Sequence, residues 1–226
     1  MDKKEFSKLF DHTQLKPYAS DDDIKKLCDE AKKYNFKTVA INNANIEKCK
    51  TYLKDTDILI DAAVSFPLGQ CTLETKLFET KDAITKGAGE LDYVINIAEL
   101  KNGNYDYIKK EMEGIVNICK KAGVTSKVIF ENCYLTNKEK IKLCKIANEV
   151  RPDFIKTSTG FGTGGAVLED VLLMKKHSSS EIKIKAAGGI RTLENVQKFL
   201  EAGASRIGSS SGVKIMQQYD KIFNEK

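Results

Sequence analysis

The sequence has no tryptophan, only three prolines and only two histidines in 226 residues. With His12 and His177 alone, a three-histidine metal site cannot be assembled, and His177 falls on a lysine-rich helix end. The six cysteines (Cys28, Cys49, Cys71, Cys119, Cys133 and Cys144) contain no Cys-x-x-Cys spacing. Reduced thiols in a core are therefore expected, in place of a zinc site or a disulfide framework. No apolar run is long enough to span a bilayer, and Met1-Asp2-Lys3-Lys4-Glu5 has no signal core, so the expectation is a cytoplasmic protein with no membrane partner. A low-complexity tract is also lacking. Thirty-seven Lys plus Arg against 32 Asp plus Glu give a net charge of +5. The lysines are scattered among acids on helical repeats, however, and form no basic stripe interleaved with aromatics, which argues for a solvated surface and against nucleic acid. A mild positive field still suits an anionic metabolite.

What is present is alternation. A short extra helix around Glu5 to Phe10 leads to Asp11-His12-Thr13, a short strand or loop closed by Pro17. Ser20 and Asp23 make a capping box for a helix whose apolar face is Ile24, Leu27, Cys28, Ala31 and Tyr34. Strands are then predicted at 38–42, 58–65, 91–96, 127–132, 154–157, 183–187 and 206–208. Helices are predicted at 45–53, 72–86, 105–122, 136–149, 167–177, 192–202 and 211–223. Counting 11–13 as the first strand gives eight strand–helix units with no break in composition. That pattern suits an α/β fold of the (β/α)8 TIM-barrel type, with the chain 1–226 as one domain and a short extra N-terminal helix.

In such a barrel the site is built at the carboxyl ends of the strands. Polar residues late in strands are Asp92, Glu131 and Asn132, Lys156 and Lys185, with Asp11 at the first strand. A lysine inside an apolar strand must be paired or give up its proton. Neutral, it is an amine nucleophile, and a second ammonium nearby favours that state. Lys156 and Lys185 fall on neighbouring strands, and Asp92 could move protons between them and a carbonyl substrate. The same residues also fit plainer roles: Lys156 snorkelling from the barrel end, Lys185 at the surface, Asp92 as an ion-pair partner.

Three glycine-rich segments follow strands: Thr159-Gly160, Ala187-Gly188-Gly189-Ile190 and Gly208-Ser209-Ser210-Ser211-Gly212. Two of them follow strands seven and eight, where barrels commonly hold phosphate on backbone amides. Gly160 to Gly165 also fits G-x-G-x-x-G, but the acidic residue that a dinucleotide site needs at the end of the next strand is missing, since that strand ends Ala186-Ala187-Gly188.

These segments together resemble the deoxyribose-phosphate aldolase family. The resemblance is carried by Asp11-His12-Thr13 with Leu15-Lys16-Pro17, Phe66-Pro67-Leu68-Gly69, Gly87-Ala88 with Glu90-Leu91-Asp92 and Val94-Ile95-Asn96, Phe154 to Gly165, Lys185 to Thr192, and Ala202 to Gly212. It implies that Lys156 forms a Schiff base, Lys185 lowers its pKa, and Asp92 is the proton-transfer acid and base. It further implies that Gly160, Gly188, Gly189, Ser210 and Ser211 hold a 5-phosphate, with Thr159 on the same lip and Asp11 supporting Lys185. The implied reaction is the reversible cleavage of 2-deoxy-D-ribose 5-phosphate to D-glyceraldehyde 3-phosphate and acetaldehyde. It needs no metal or organic cofactor, and the partners expected are the phosphosugar and aldehyde substrates and a second copy in a homodimer. A ketose-donor aldolase and a catalytically silent phosphate-binding barrel are the alternatives. The sequence departs from the family at Ala40, where relatives carry a cysteine, and at Ser65, where glycine is usual. It also ends Phe223-Asn224-Glu225-Lys226, without the terminal tyrosine of longer relatives.

Overall fold

Short strands rich in Val, Ile and Ala, each followed by a helix with one apolar face, bury their apolar side chains when the helices cover the sheet, as they do around a closed barrel. The computed structural model, which describes residues 1–223, has this form. Its eight strands are β1 (Phe10–Gln14), β2 (Thr38–Asn42), β3 (Leu59–Val64), β4 (Glu90–Val94), β5 (Thr125–Ile129), β6 (Phe154–Lys156), β7 (Lys183–Ala187) and β8 (Arg206–Ser209). All pair in parallel and in chain order, and β8 closes on β1. The expected (β/α)8 barrel is the observed one.

The helices are α1 (Lys3–Ser7), α2 (Asp21–Tyr34), α3 (Ile46–Tyr52), α4 (Leu73–Lys86), α5 (Ile97–Lys101), α6 (Tyr105–Ala122), α7 (Asn137–Val150), α8 (Leu168–His177), α9 (Leu193–Glu201) and α10 (Gly212–Phe223). Both predicted capping boxes are made, Ser20 with Asp23 at α2 and Thr136 with Glu139 at α7. Each such cap is worth about 1 kcal/mol over alanine. Gly123 ends α6 in the left-handed conformation that stops a helix without a Cβ penalty.

Several element ends differ from the sequence reading by a residue or two, and three differences are larger in effect. The first helix is α1, and Phe10 already belongs to β1. The fifth strand ends at Ile129, so Glu131 and Asn132 lie beyond it: Glu131 is left-handed, with φ of 56°, and Asn132 opens a short 3-10 turn. Periodicity cannot reveal such an end, because the buried run continues through Phe130. The five-residue α5, capped by Asn96, is too short to carry a helical period and was not predicted. The unusual chain end at 224–226 lies outside the described residues.

Outward-facing strand residues such as Ile41, Val64, Tyr93, Val128, Ile155 and Ile207 are buried and belong to the apolar core beneath the helices. Alternation then points Asp11, Thr38, Asp61, Glu90, Asp92, Lys127, Lys156, Lys185 and Arg206 into the barrel. The interior of this barrel is thus largely ionic.

Candidate active site

Strand register decides which inward side chains meet. Lys156 pairs across the sheet with Lys185, Asp92 with Lys127, Asp61 with Glu90, and Lys185 with Arg206. Their side chains converge on the barrel axis. Asp92 Oδ2 accepts from Lys156 Nζ at 2.5 Å and from Lys185 Nζ at 2.6 Å. Lys185 Nζ also reaches Asp11 at 2.5 Å and Asp61 at 2.8 Å. Lys127 Nζ sits 2.8 Å from Asp61, 2.8 Å from Glu90 and 2.9 Å from Asp92. None of these Lys127 contacts has the angles of a hydrogen bond, so its hold on the three carboxylates is chiefly Coulombic. Arg206 closes the base of the cluster on Asp11 and Glu90, with its guanidinium over the ring of Phe154.

Four carboxylates and four cations therefore share one buried volume, and each compensates the others' desolvation. Burial pushes the pKa of Lys156 below the ordinary lysine value. The Asp92 carboxylate opposes that shift, and the charge on Lys185 adds to it. The sequence reading gave Lys185 as the cause, whereas desolvation is the larger one. Burial opposes the charge on Lys185 too, but Asp11, Asp61 and Asp92 outweigh it and hold this lysine above its usual range. Asp92 is fully enclosed, yet Lys127, Lys156 and Lys185 keep it well below the usual carboxylate range. Asp61 behaves differently: burial and the neighbouring Asp92 charge raise it to about 6. Chemically, the set combines one depressed amine, one fixed ammonium and a carboxylate bonded to both.

Asp11, Asp61 and Glu90 offer ligand atoms within 4.8 Å of one another, a spacing that could hold a metal ion. Nitrogen cations of Lys127, Lys185 and Arg206 already lie against those oxygens, so a metal would have to displace an existing ion pair.

Above the cluster, a cavity of about 340 Å³ opens at the carboxyl ends of the strands, with Lys156 in its wall. Its other walls include Thr159, Gly160, Phe161, Gly188, Gly189 and Ser210, together with the cations Lys16 and Arg191. Gly160, Gly188 and Gly189 have φ of 86°, 89° and 78°, where other residues are strained. At Gly188 a Cβ would also lie 2.9 Å from the Gly165 Cα, so the two loops pack backbone to backbone. Asp92, Lys185 and Asp11 lie beneath this cavity. Ser211 is not brought into it: this residue faces an adjacent groove with His12 and Glu30, and its N–H donates to Ser209 Oγ at 2.9 Å.

Sequence reasoning missed Asp61, Lys127, Arg206, Lys16 and Arg191. Each of the first three sits inside an apolar strand at the same alternation as a chosen residue, which was the available signal. The two cavity cations gave none beyond lying next to strand ends.

The arrangement is that of a (β/α)8-barrel enzyme with an ionic cluster along the barrel axis and a cavity above it at the carboxyl ends of the strands. The family of DeoC/LacD aldolases matches residues 2–218, and the chain belongs to it. It is 58% identical to a deoxyribose-phosphate aldolase of Lactobacillus acidophilus, over 94% of this chain and 90% of that one. It is 51% identical to one from Thermococcus gammatolerans, over 94% and 96%. Among solved structures, the tetrameric deoxyribose phosphate aldolase of Aeropyrum pernix superposes with a TM-score of 0.90 at 29% identity, covering 98% of this chain and 93% of that one.

Proposed function

We propose that this chain, acting as one barrel domain, reversibly cleaves 2-deoxy-D-ribose 5-phosphate to D-glyceraldehyde 3-phosphate and acetaldehyde through a Schiff base on Lys156. The observation that carries this reading is the meeting of Lys156, its pKa depressed by burial, with Asp92 and Lys185 at the floor of the glycine-lined cavity.

In its neutral form, Lys156 Nζ attacks C1 of the open-chain sugar, and the carbonyl oxygen takes a proton to give a carbinolamine. Asp92, held between the two lysine nitrogens, relays the protons that carry the hydroxyl away as water, leaving an iminium. The C3 hydroxyl then gives up its proton, and the C2–C3 bond breaks with its electron pair passing into the iminium. Glyceraldehyde 3-phosphate leaves, and an enamine remains on Lys156. Protonation at C2 and addition of water release acetaldehyde and restore the amine. Lys185 stays charged throughout, fixing Asp92 and making a second charge on Lys156 unfavourable. The 5-phosphate rests on the lip formed by Thr159 and Gly160, on Gly188, Gly189 and Ser210, and against Lys16 and Arg191. Asp11 supports Lys185 from below.

Among the described residues the six cysteines are free and no helix is long and apolar enough to cross a membrane, which is compatible with work in the cytoplasm. Cyanoborohydride or borohydride reduction in the presence of acetaldehyde should fix an ethyl group on Lys156, detectable by peptide mass. A coupled assay should record glyceraldehyde 3-phosphate from the deoxysugar phosphate. No adduct, or one confined to another lysine, refutes the assignment.

A further inference from the structure

Glu131 stands outside the ionic cluster, and nothing in the chemistry above uses it. It is 2% exposed, its backbone is left-handed at φ 56°, and among the described residues no lysine, arginine or histidine forms an ion pair with it. Both features cost free energy, on the order of 1–3 kcal/mol for the backbone alone, so the fold must gain something by keeping them. The gain is visible in what the carboxylate holds. Oε1 accepts from the Thr159 N–H at 3.1 Å, and Oε2 accepts from the Thr159 hydroxyl. Thr159 Oγ1 in turn accepts from the Phe161 N–H at 3.0 Å.

The relay ends at the nucleophile. The ring of Phe161 meets that of Phe66 edge to face, with centroids 5.4 Å apart, and the Phe66 ring lies 5.9 Å from Lys156 Nζ. Phe161 is 47% exposed and lines the cavity, held there by this hydrogen-bonded relay and by the Phe66 contact. Space beside the carboxylate is also tight: a Cβ at Gly162 would come within 3.2 Å of Glu131 Cδ and 2.7 Å of Cys133 Sγ. The loop is seated on Glu131.

We propose that Glu131 is a positioning residue that, through Thr159, locks Phe161 against Phe66 and so closes the open side of the cavity over Lys156. This rests on the aldolase reading for its rate measurements but not for its structural one. Removing the clamp lets the aromatic wall swing outward, admits water beside the iminium and loosens the pose of the sugar chain.

The test is a double-mutant cycle. Glu131→Ala should lower kcat/KM for deoxyribose 5-phosphate by on the order of 10- to 100-fold, the range set by misplacing one wall of a site. Phe161→Ala should reproduce that loss. Combining the two should be no worse than Phe161→Ala alone, because Glu131 acts only through the wall. Glu131→Gln, which keeps an acceptor for the Thr159 hydroxyl, should recover part of the rate. Additive losses in the double variant overturn the proposal, as does an unchanged rate in Glu131→Ala. Hydrogen exchange supplies a readout needing no substrate: the Thr159 and Phe161 amides should be protected in the parent protein and lose protection in Glu131→Ala, while the strand amides of β5 and β6 stay protected. Unchanged exchange at those two amides overturns the clamp even if the enzyme acts on another sugar. A parent protein inactive on deoxyribose 5-phosphate but with the predicted exchange pattern refutes only the substrate.

Discussion

Lys156 and Lys185 are register partners on β6 and β7, and both donate to the same oxygen, Asp92 Oδ2. The two nitrogens can therefore be no farther apart than those two bonds laid end to end. One carboxylate oxygen stabilises two neighbouring cations, and the more deeply enclosed Lys185 has two further carboxylates of its own. Lys185 is thus the nitrogen whose charge is favoured, and Lys156 the one whose pKa is depressed.

That asymmetry predicts a pH profile. In the proposed mechanism Lys156 attacks as the neutral amine, so kcat/KM should rise with pH through its depressed pKa. Lys185→Leu removes a cation that lowers this pKa and leaves Asp92 shared between Lys156 and Lys127 instead of among three lysines, and both changes raise it. Burial, the larger cause, remains, so the rising limb should move to higher pH without reaching that of a free lysine. Each unit of displacement lowers the reactive fraction at neutral pH about tenfold. The profile is measured on protein shown by circular dichroism to be folded; a limb that stays in place removes the electrostatic role of Lys185.

Lys127 carries a stability prediction. It is fully buried against Asp61, Glu90 and Asp92, so Lys127→Met leaves excess negative charge inside the barrel. Breaking one partner out of a buried ion cluster costs about 3–5 kcal/mol. Urea unfolding should show a midpoint lowered accordingly with an unchanged m-value. A loss below about 1 kcal/mol, the range of exposed pairs, would mean that the cluster is solvated in solution.

How much of this was legible beforehand follows from where the information lies. Capping pairs such as Ser20 with Asp23 are local, and both capping boxes read from the sequence form as read. The pairing of Lys156 with Lys185 was readable because each lies a countable distance from a glycine-rich strand end. Lys127 and Arg206 were not, since a lysine or arginine in a strand reads as surface until closure of the barrel fixes which face is inside. Glu131 was expected at the end of the fifth strand, but its left-handed backbone turns it toward Thr159, a contact 28 residues away that only the fold supplies.

Arg191 lines the cavity from the loop after β7 while remaining exposed. Arg191→Ala should raise KM for the phosphorylated sugar about tenfold, the scale of one charge-assisted contact. It should leave kcat within about twofold, because phosphate binding is shared by ground and transition states. Unphosphorylated 2-deoxyribose, turned over by the same variant, should show no change. Equal losses on both sugars would place Arg191 in support of the loop instead of against the anion.

Ala40 on β2 lies between Thr13 of β1 and Asp61 of β3 and shares the inward face of Thr38, which donates to Asp11. None of the six cysteines lies on a strand: Cys28, Cys49, Cys119 and Cys144 are buried in helices, Cys71 is in a loop and Cys133 is in the 3-10 turn after β5. Aldehyde in the barrel therefore meets no inward-facing strand thiol in the parent protein. Ala40→Cys supplies one at low volume cost, and prolonged exposure to acetaldehyde should inactivate it several-fold faster than the parent, with a mass increase on the peptide carrying residue 40. Equal rates of inactivation would show that another group, such as Lys156 itself or the Cys133 thiol, limits the lifetime of the enzyme in aldehyde.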